Sequence, residues 1–268
     1  MIPGFSKETF LPNGAVSASR KWISGSGKEH WHDFYEIEYI ISGSGDYVID
    51  GKSFPIESGM LYFMTPIDFH NVHTDRSQII NVMFSESILT PAHLVPFSCQ
   101  AAPKAFPIPE EMRPFIMTLL EEIVQYQEQP VYCAALLDCL LLKLAHELLP
   151  LEESSWNQTA QKIHYYIINH FREKVTLEDV AQYVGLTPAY VSAVFKKEMN
   201  INFKKYLNEL RFTYARKLLQ YSDMSVTQIC GECGFDDYPN FIRRFKEHFG
   251  ITPSQMRMNI CDAPAQLL

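Results

Sequence analysis

The chain has 268 residues, 47% of them hydrophobic and 20% charged, an ordinary composition for a soluble globular protein. That length exceeds one average domain and accommodates two, each with its own core. The net charge of −8 conceals a split: residues 1–155 carry 9 Lys+Arg against 20 Asp+Glu, a balance of −11, and residues 156–268 carry 14 against 11, a balance of +3, so the acidic total does not exclude a nucleic-acid partner.

The N-terminal stretch MIPGFSKETFLPNG has no basic region followed by an apolar run, so no secretory leader is expected. The most apolar segment, LLDCLLLKLAHELL, is interrupted by Asp138, Lys143 and Glu147 and is too short to span a bilayer. Cys99, Cys133, Cys139, Cys230, Cys233 and Cys261 form no disulfide framework. Together these features predict reduced thiols in a cytoplasmic protein that is not membrane-bound.

The first hundred residues read as strands. YEIEYII, DYVID, SFPI, LYFMT and QIINVMF are short, rich in β-branched and aromatic residues, and separated by turn signals. Asp50-Gly51 between two of these runs predicts a two-residue hairpin whose central residues both need positive φ. Many short strands at this spacing favour a small barrel or sandwich. Within them, HWHDFYEIE carries His30, His32, Glu36 and Glu38, which share one face of an unbroken strand; a bulge would reverse the later ones. Aromatic residues crowd this region, among them Trp22, Trp31, Phe34, Tyr35, Tyr47, Phe63 and Phe69, and suit either a core or stacking against a polar small molecule.

Near Pro107 the periodicity becomes helical. Two segments broken at Gln129-Pro130 predict a helical hairpin over about 109–149, with an apolar face of Leu136, Leu137, Leu140, Leu141, Leu144 and Leu148. That face packs on its own barrel or on a second subunit. A polar linker, LEESSWNQ, follows, and beyond it the chain reads as helical to its end.

The C-terminal part contains an internal repeat. Residues 176–200, TLEDVAQYVGLTPAYVSAVFKKEMN, align with residues 225–250, SVTQICGECGFDDYPNFIRRFKEHFG, after one insertion. Each copy opens on a capping signal, Thr176 with Asp179 and Ser225 with Gln228. Each then reaches a glycine, Gly185 or Gly234, at a helix end that needs left-handed backbone. A second helix starts at once, capped by Thr187 ahead of Pro188 in the first copy and by Asp236-Asp237 in the second. Two such units predict paired helix-turn-helix motifs, about 176–199 and 225–249. Helical geometry turns Val191, Val194 and Phe195 inward in the first unit, and Phe241, Phe245 and Phe249 in the second. DNA-facing candidates are therefore Thr187, Ala189, Tyr190, Ser192, Ala193, Lys196 and Lys197, and Tyr238, Pro239, Asn240, Ile242, Arg243 and Lys246. The connecting FKKYLNELRFTYARKLLQY, at ~1.5 Å per residue, makes a helix of roughly 28 Å. That is close to the ~34 Å separating reading helices one DNA turn apart.

On these residues, 175–257 resembles the DNA-binding domain of the AraC-type (AraC/XylS) transcription regulators. The N-terminal segment HWHDFYEIEYIISGSGDYVIDGKSFPIESGMLYFMTPIDFH is similar to the cupin-like sensing domain often fused to it. The resemblance implies an α+β chain: residues 1–152 a cupin-like barrel with the helical hairpin, for effector binding and dimerisation, and residues 156–268 an all-α double helix-turn-helix domain. It implies no enzyme activity and no cofactor. The partners it implies are double-stranded promoter DNA, a small effector of sugar type, a second copy of the chain and RNA polymerase. His30, His32, Glu36 and His70 become the effector-binding candidates. The same four could hold a divalent transition metal, since His70 stands where metal-binding cupins carry their third histidine. A metal-dependent cupin enzyme fused to a DNA-binding domain, or a regulator without a small ligand, are the alternatives. The family often has arginine at the position of Ala193, which leaves Ser192 as the first unit's polar base reader and Arg243 as the stronger one in the second. Cys230-x-x-Cys233 has no second pair to complete a zinc site, and His248 is the nearest further donor.

Overall fold

The computed structural model describes residues 4–11, 15–66, 68–98, 102–149 and 157–262. The chain divides between residues 154 and 155 into two compact units. In the first, β1 (Gly4–Phe5) and the one-turn helix α1 (Lys7–Phe10) precede β2 (Val16–Ser26). β3 (Trp31–His32) pairs with β1 in parallel. β4 (Tyr35–Ser42), β5 (Gly45–Ile49), β6 (Lys52–Ile56), β7 (Met60–Met64), β8 (His70–Phe84) and, after helix α2 (Pro91–Ser98), β9 (Ala105–Pro107) follow. β2 and β4 to β9 form one antiparallel sheet in the order β6-β5-β8-β4-β7-β9, with β2 laid along β8, and it curls into a nearly closed cupin-like barrel.

Strand β8 holds the barrel together. Its first residues pair with β5, its last with β4, and β2 runs along most of its length. The side-chain alternation changes parity midway: His70 and Thr74 are buried, Asp75 and Arg76 are exposed, and Ser77, Ile79 and Asn81 are buried. Thr74 Oγ1 staples this bend, donating to the Ser44 carbonyl at 2.6 Å and lying 2.6 Å from Ser77 Oγ. Gly43 (φ +124°) fits beneath it, where a Cβ would lie 2.6 Å from Ser77 Cα. The β5–β6 hairpin turns at Asp50 and Gly51, both at positive φ (50° and 75°), as a two-residue turn demands.

Two features were absent from the sequence expectation. β2 runs for 11 residues with its second half exposed, and so carries no apolar alternation. β8 begins at His70, well before QIINVMF, because its polar first half faces a polar cavity rather than a core. The hairpin of helices is present as α3 (Arg113–Gln125) and α4 (Pro130–Leu148), each with proline in its first turn. A 3-10 turn at Glu110–Met112 leads into α3. Ile116, Leu120 and Ile123 are buried with Leu137, Leu140, Leu141 and Leu144, whereas Val131, Tyr132 and Leu142 of α4 face outward.

The second unit is all helical: α5 (Gln158–His170), α6 (Leu177–Val184), α7 (Pro188–Met199), α8 (Phe203–Tyr221), α9 (Val226–Glu232), α10 (Tyr238–Phe249) and α11 (Pro253–Asp262). Thr176–Asp179 and Ser225–Gln228 form complete capping boxes. Gly185 (φ +70°) and Gly234 (φ +77°) take the left-handed conformation between the paired helices. Thr187 caps α7 by accepting from the Tyr190 amide, and Asp237 caps α10 by accepting from Asn240. Central helix α8 buries Leu210, Phe212, Tyr214, Ala215 and Leu218, and both helix-turn-helix motifs pack against it, Phe195 on Tyr206 and Phe241 on Phe212. Arg211 of α8 donates to the carbonyls of Phe171 and Glu173 and ties the α5–α6 loop to it. Among the described residues no helix is long and apolar enough to cross a membrane.

Candidate functional site

The barrel encloses a cavity of about 260 Å³ lined by Phe10, Lys21, Ile23, His30, His32, Phe34, Glu36, Glu38, Tyr47, His70, Asn71, Val72 and Met83. The strand carrying HWHDFYEIE breaks at Asp33-Phe34, between β3 and β4. His30, His32, Glu36 and Glu38 nevertheless line one cavity, and His70 joins them from β8. Backbone pairing of His30 with His70 brings the two segments together.

Glu36 is the hub. Its Oε2 accepts from His32 Nε2 at 2.9 Å and from His70 Nε2 at 3.1 Å. Burial works to raise its pKa, yet the bonds and charges of the two imidazoles outweigh it and hold the carboxyl well below its ordinary range. The partner effect appears at His70: burial opposes protonation, but Glu36 raises its pKa. Each ring is braced from behind, His32 Nδ1 by the Phe34 carbonyl at 2.7 Å and His70 Nδ1 by that of Asp68 at 3.4 Å. His30 differs. Its Nδ1 donates to the Lys28 carbonyl, and burial followed by the nearby His70 pushes its pKa down to about 4. It is therefore a neutral ring packed 4.2 Å from that of His70, centroid to centroid.

Two further residues complete the polar network. Asn81 sits directly across from Glu38 on β8, and its Nδ2 donates to Oε1 of both Glu36 and Glu38. Burial, then the Glu36 charge, raises the pKa of Glu38. Glu38 shares its face with Glu36, but neither Asn81 nor Asn71 was singled out from the sequence. The available signal was Asn81 itself, a polar residue inside the apolar run QIINVMF.

His32, Glu36 and His70 each offer one donor atom, and these atoms lie within 4.8 Å of one another, a donor set that suits a divalent transition metal. The structure does not bring His30 into that group. Cys230 and Cys233 are buried in the second unit, where burial raises the thiol pKa of each, and no third donor joins them among the described residues. His248 packs instead on Phe212 and Phe249.

The second candidate site is the exposed face of the paired helices. On α7, Ala189, Tyr190, Ser192, Ala193, Lys196 and Lys197 are exposed, as is the capping Thr187, while Val191, Val194 and Phe195 are buried. On α10, Tyr238, Pro239, Arg243 and Lys246 are exposed, Asn240 and Ile242 half-buried, and Phe241 and Phe245 buried. Phe249 is half-buried, with its ring 4.7 Å from that of Phe245. Arg243 lies along its own helix, bonded to Glu247 at 2.7 Å and Asn240 at 2.8 Å. Lys204 and Lys205 lie exposed at the start of α8, a second basic pair that can meet phosphates.

Residues 17–147 match the family of AraC-like ligand binding domains, and residues 180–259 match a helix-turn-helix domain family. The chain is 31% identical over 262 residues to the transcriptional activator RhaS of Escherichia fergusonii, covering 92% of this chain and 94% of that protein. It is 28% identical over 265 residues to RhaS of Escherichia coli, with the same coverage. Among solved structures, the C-terminal domain of the response regulator AraT from Geobacillus stearothermophilus is 27% identical, with a TM-score of 0.39, covering 42% of this chain and 92% of that one.

Proposed function

Because the chain belongs to the AraC family of transcription regulators, a DNA-binding protein with a ligand-binding domain and not an enzyme, we propose that its barrel senses a sugar or related polar metabolite. The observation that carries this reading is the cavity in which His30, His32, Glu36 and His70 meet beside aromatic walls. A closed polar network flanked by Phe10, Phe34 and Tyr47 suits a ring with hydroxyls on its edge and apolar faces. In the same proposal the regulator acts in the cytoplasm as an activator. It dimerises through the outward face of α4, and RNA polymerase is its partner at the promoter. Thr187, Ala189, Tyr190, Ser192, Ala193, Lys196 and Lys197 enter one major groove. Tyr238, Pro239, Asn240, Ile242, Arg243 and Lys246 enter the next. Effector occupancy shifts the populations of two states that differ in DNA affinity.

The test is fluorescence anisotropy on the purified full chain with the promoter DNA upstream of its own gene, titrated with and without a panel of aldopentoses and aldohexoses. One sugar changes the DNA affinity fivefold or more, and His32→Ala or Glu36→Ala abolishes the response. An unchanged affinity across the panel sinks the carbohydrate reading. The metal reading rests on the clustering of His32, Glu36 and His70. Those residues fit a divalent ion, and stoichiometric metal in the purified chain would favour it.

A further inference from the structure

Glu36 and Glu38 stand two residues apart on the same wall of the cavity, but their surroundings are unequal. Glu36 has both oxygens engaged, Oε2 by two imidazoles and Oε1 by Asn81. Glu38 has only its Oε1 engaged, by the same Asn81 amide. Glu38 Oε2 is buried and accepts no hydrogen bond, and the side-chain oxygens of Asn71 and Asn81 are in the same condition. Glu38 is only 7% exposed, so bulk water does not serve that oxygen. Tyr47 lies beside it on the cavity wall with its hydroxyl turned toward the Glu38 carboxyl, yet Oε2 has no partner within hydrogen-bond distance. Lys21 reaches the cavity from the exposed stretch of β2.

All three unpartnered atoms are acceptors, and Glu38 and Asn71 line the cavity. A folded protein rarely leaves buried acceptors unserved, and such groups commonly mark functional positions. Here they impose a polarity on the ligand, which has to bring donors. A hydroxyl pair on an uncharged ring does so. A carboxylate or phosphate brings only acceptors to that edge, and so leaves Glu38 Oε2 and the Asn71 oxygen unserved. Discrimination of this kind is strong, because the wrong ligand leaves buried polar groups on both sides unpaired.

We propose that Glu38, supported by Asn71, is the specificity-determining acceptor of the cavity: it anchors the hydroxyl donors of an uncharged polyol and turns away the corresponding acids and phosphate esters. This rests on the carbohydrate reading above and adds a selection for hydrogen-bond donors that the histidine cluster alone does not imply. Glu38→Gln is the diagnostic change. It keeps the side chain's size and the oxygen that accepts from Asn81, and replaces the unpartnered acceptor by an NH2 donor.

Isothermal titration of the full chain with matched pairs tests the proposal: D-glucose with D-glucuronate and D-glucose 6-phosphate, D-galactose with D-galacturonate, and D-xylose with D-xylonate. At least one neutral sugar binds, and its acidic counterpart binds at least ~100-fold more weakly. E38Q weakens the neutral sugar tenfold or more and narrows the preference over the acid. Asn71→Ala leaves the Glu36–Asn81–Glu38 network untouched and weakens the neutral sugar as well, which keeps the test open should E38Q fold poorly. An acid bound as tightly as its neutral partner, or two folded variants that bind like the parent chain, overturns the assignment of Glu38 while the carbohydrate reading stands. If no member of the panel binds the parent chain, the carbohydrate reading fails and this assignment falls with it.

Discussion

Arg243 was the residue expected to read a base, and in the free protein it is occupied. Its guanidinium bridges Glu247 and Asn240 along α10. Such exposed pairs contribute ~0–1 kcal/mol, so DNA can readily compete for the side chain. Arg243→Ala is expected to relax preference at one base position by ~1–3 kcal/mol, measured by anisotropy on a set of single-substitution operators. Equal weakening on every operator would instead assign Arg243 to phosphate. His164 is a different kind of residue, one that no sequence pattern announced. It is buried against α8 with Nδ1 2.8 Å from the Tyr206 hydroxyl, and burial lowers its pKa from 6.5 to about 4. The fold therefore needs the neutral ring, while the unfolded chain takes up a proton below pH 6.5. Stability from this group is intact above that pH and declines as the pH falls toward 4. Between pH 7 and pH 5 the loss is about 2 kcal/mol. Urea denaturation should show that slope in the parent chain and a flatter one in His164→Gln; parallel slopes would remove His164 from the account.

At the scale of elements, what the sequence made legible was whatever local chemistry punctuates. Capping boxes, Pro188 and the two glycines placed α6, α7, α9 and α10 almost to the residue, because each signal satisfies a specific helix-end group. Asp50-Gly51 did the same for β5 and β6. The second half of β2 and the first half of β8 were illegible for a common reason: one is largely exposed and the other borders a polar cavity, so neither buries the apolar alternation that marks a strand. The candidate site was half legible on the same grounds. The histidines and Glu36 stood out as a cluster, whereas Asn81 joins them only through strand pairing between β4 and β8. The repeated glycines yield a further expectation. Both need left-handed backbone, but an added Cβ meets nothing within 4 Å at Gly185, and at Gly234 it lies 2.6 Å from the Arg172 carbonyl oxygen. Gly185→Ala should cost ~1–2 kcal/mol of backbone strain alone. Gly234→Ala should cost clearly more in thermal unfolding, and equal losses would show that the α5–α6 loop yields freely.

For the whole molecule, the division into two compact units, each with its own buried core, means that sensing and DNA binding have separate structural foundations. Residues 156–268 expressed alone should fold and bind operator DNA with no response to any sugar, measured by the same anisotropy titration. A helical fragment that fails to fold would show that the first unit is required for its stability. The charge split found in the sequence follows this division, with the acidic half forming the barrel and the basic half the paired helices. Within the first unit, the parity change at Asp75-Arg76 has a genetic consequence. Exposed polar bends usually tolerate insertion and deletion, and by surface position alone this one would rank among the permissive sites of the gene. It is instead a frame marker. His70 lies on one side of it and Asn81 on the other, both aimed at the same interior. Loss or gain of a single codon there would turn one of the two outward while leaving every strand nameable. Neutral drift in this family of sequences is therefore expected to spare the length of that bend even where it freely changes its residues.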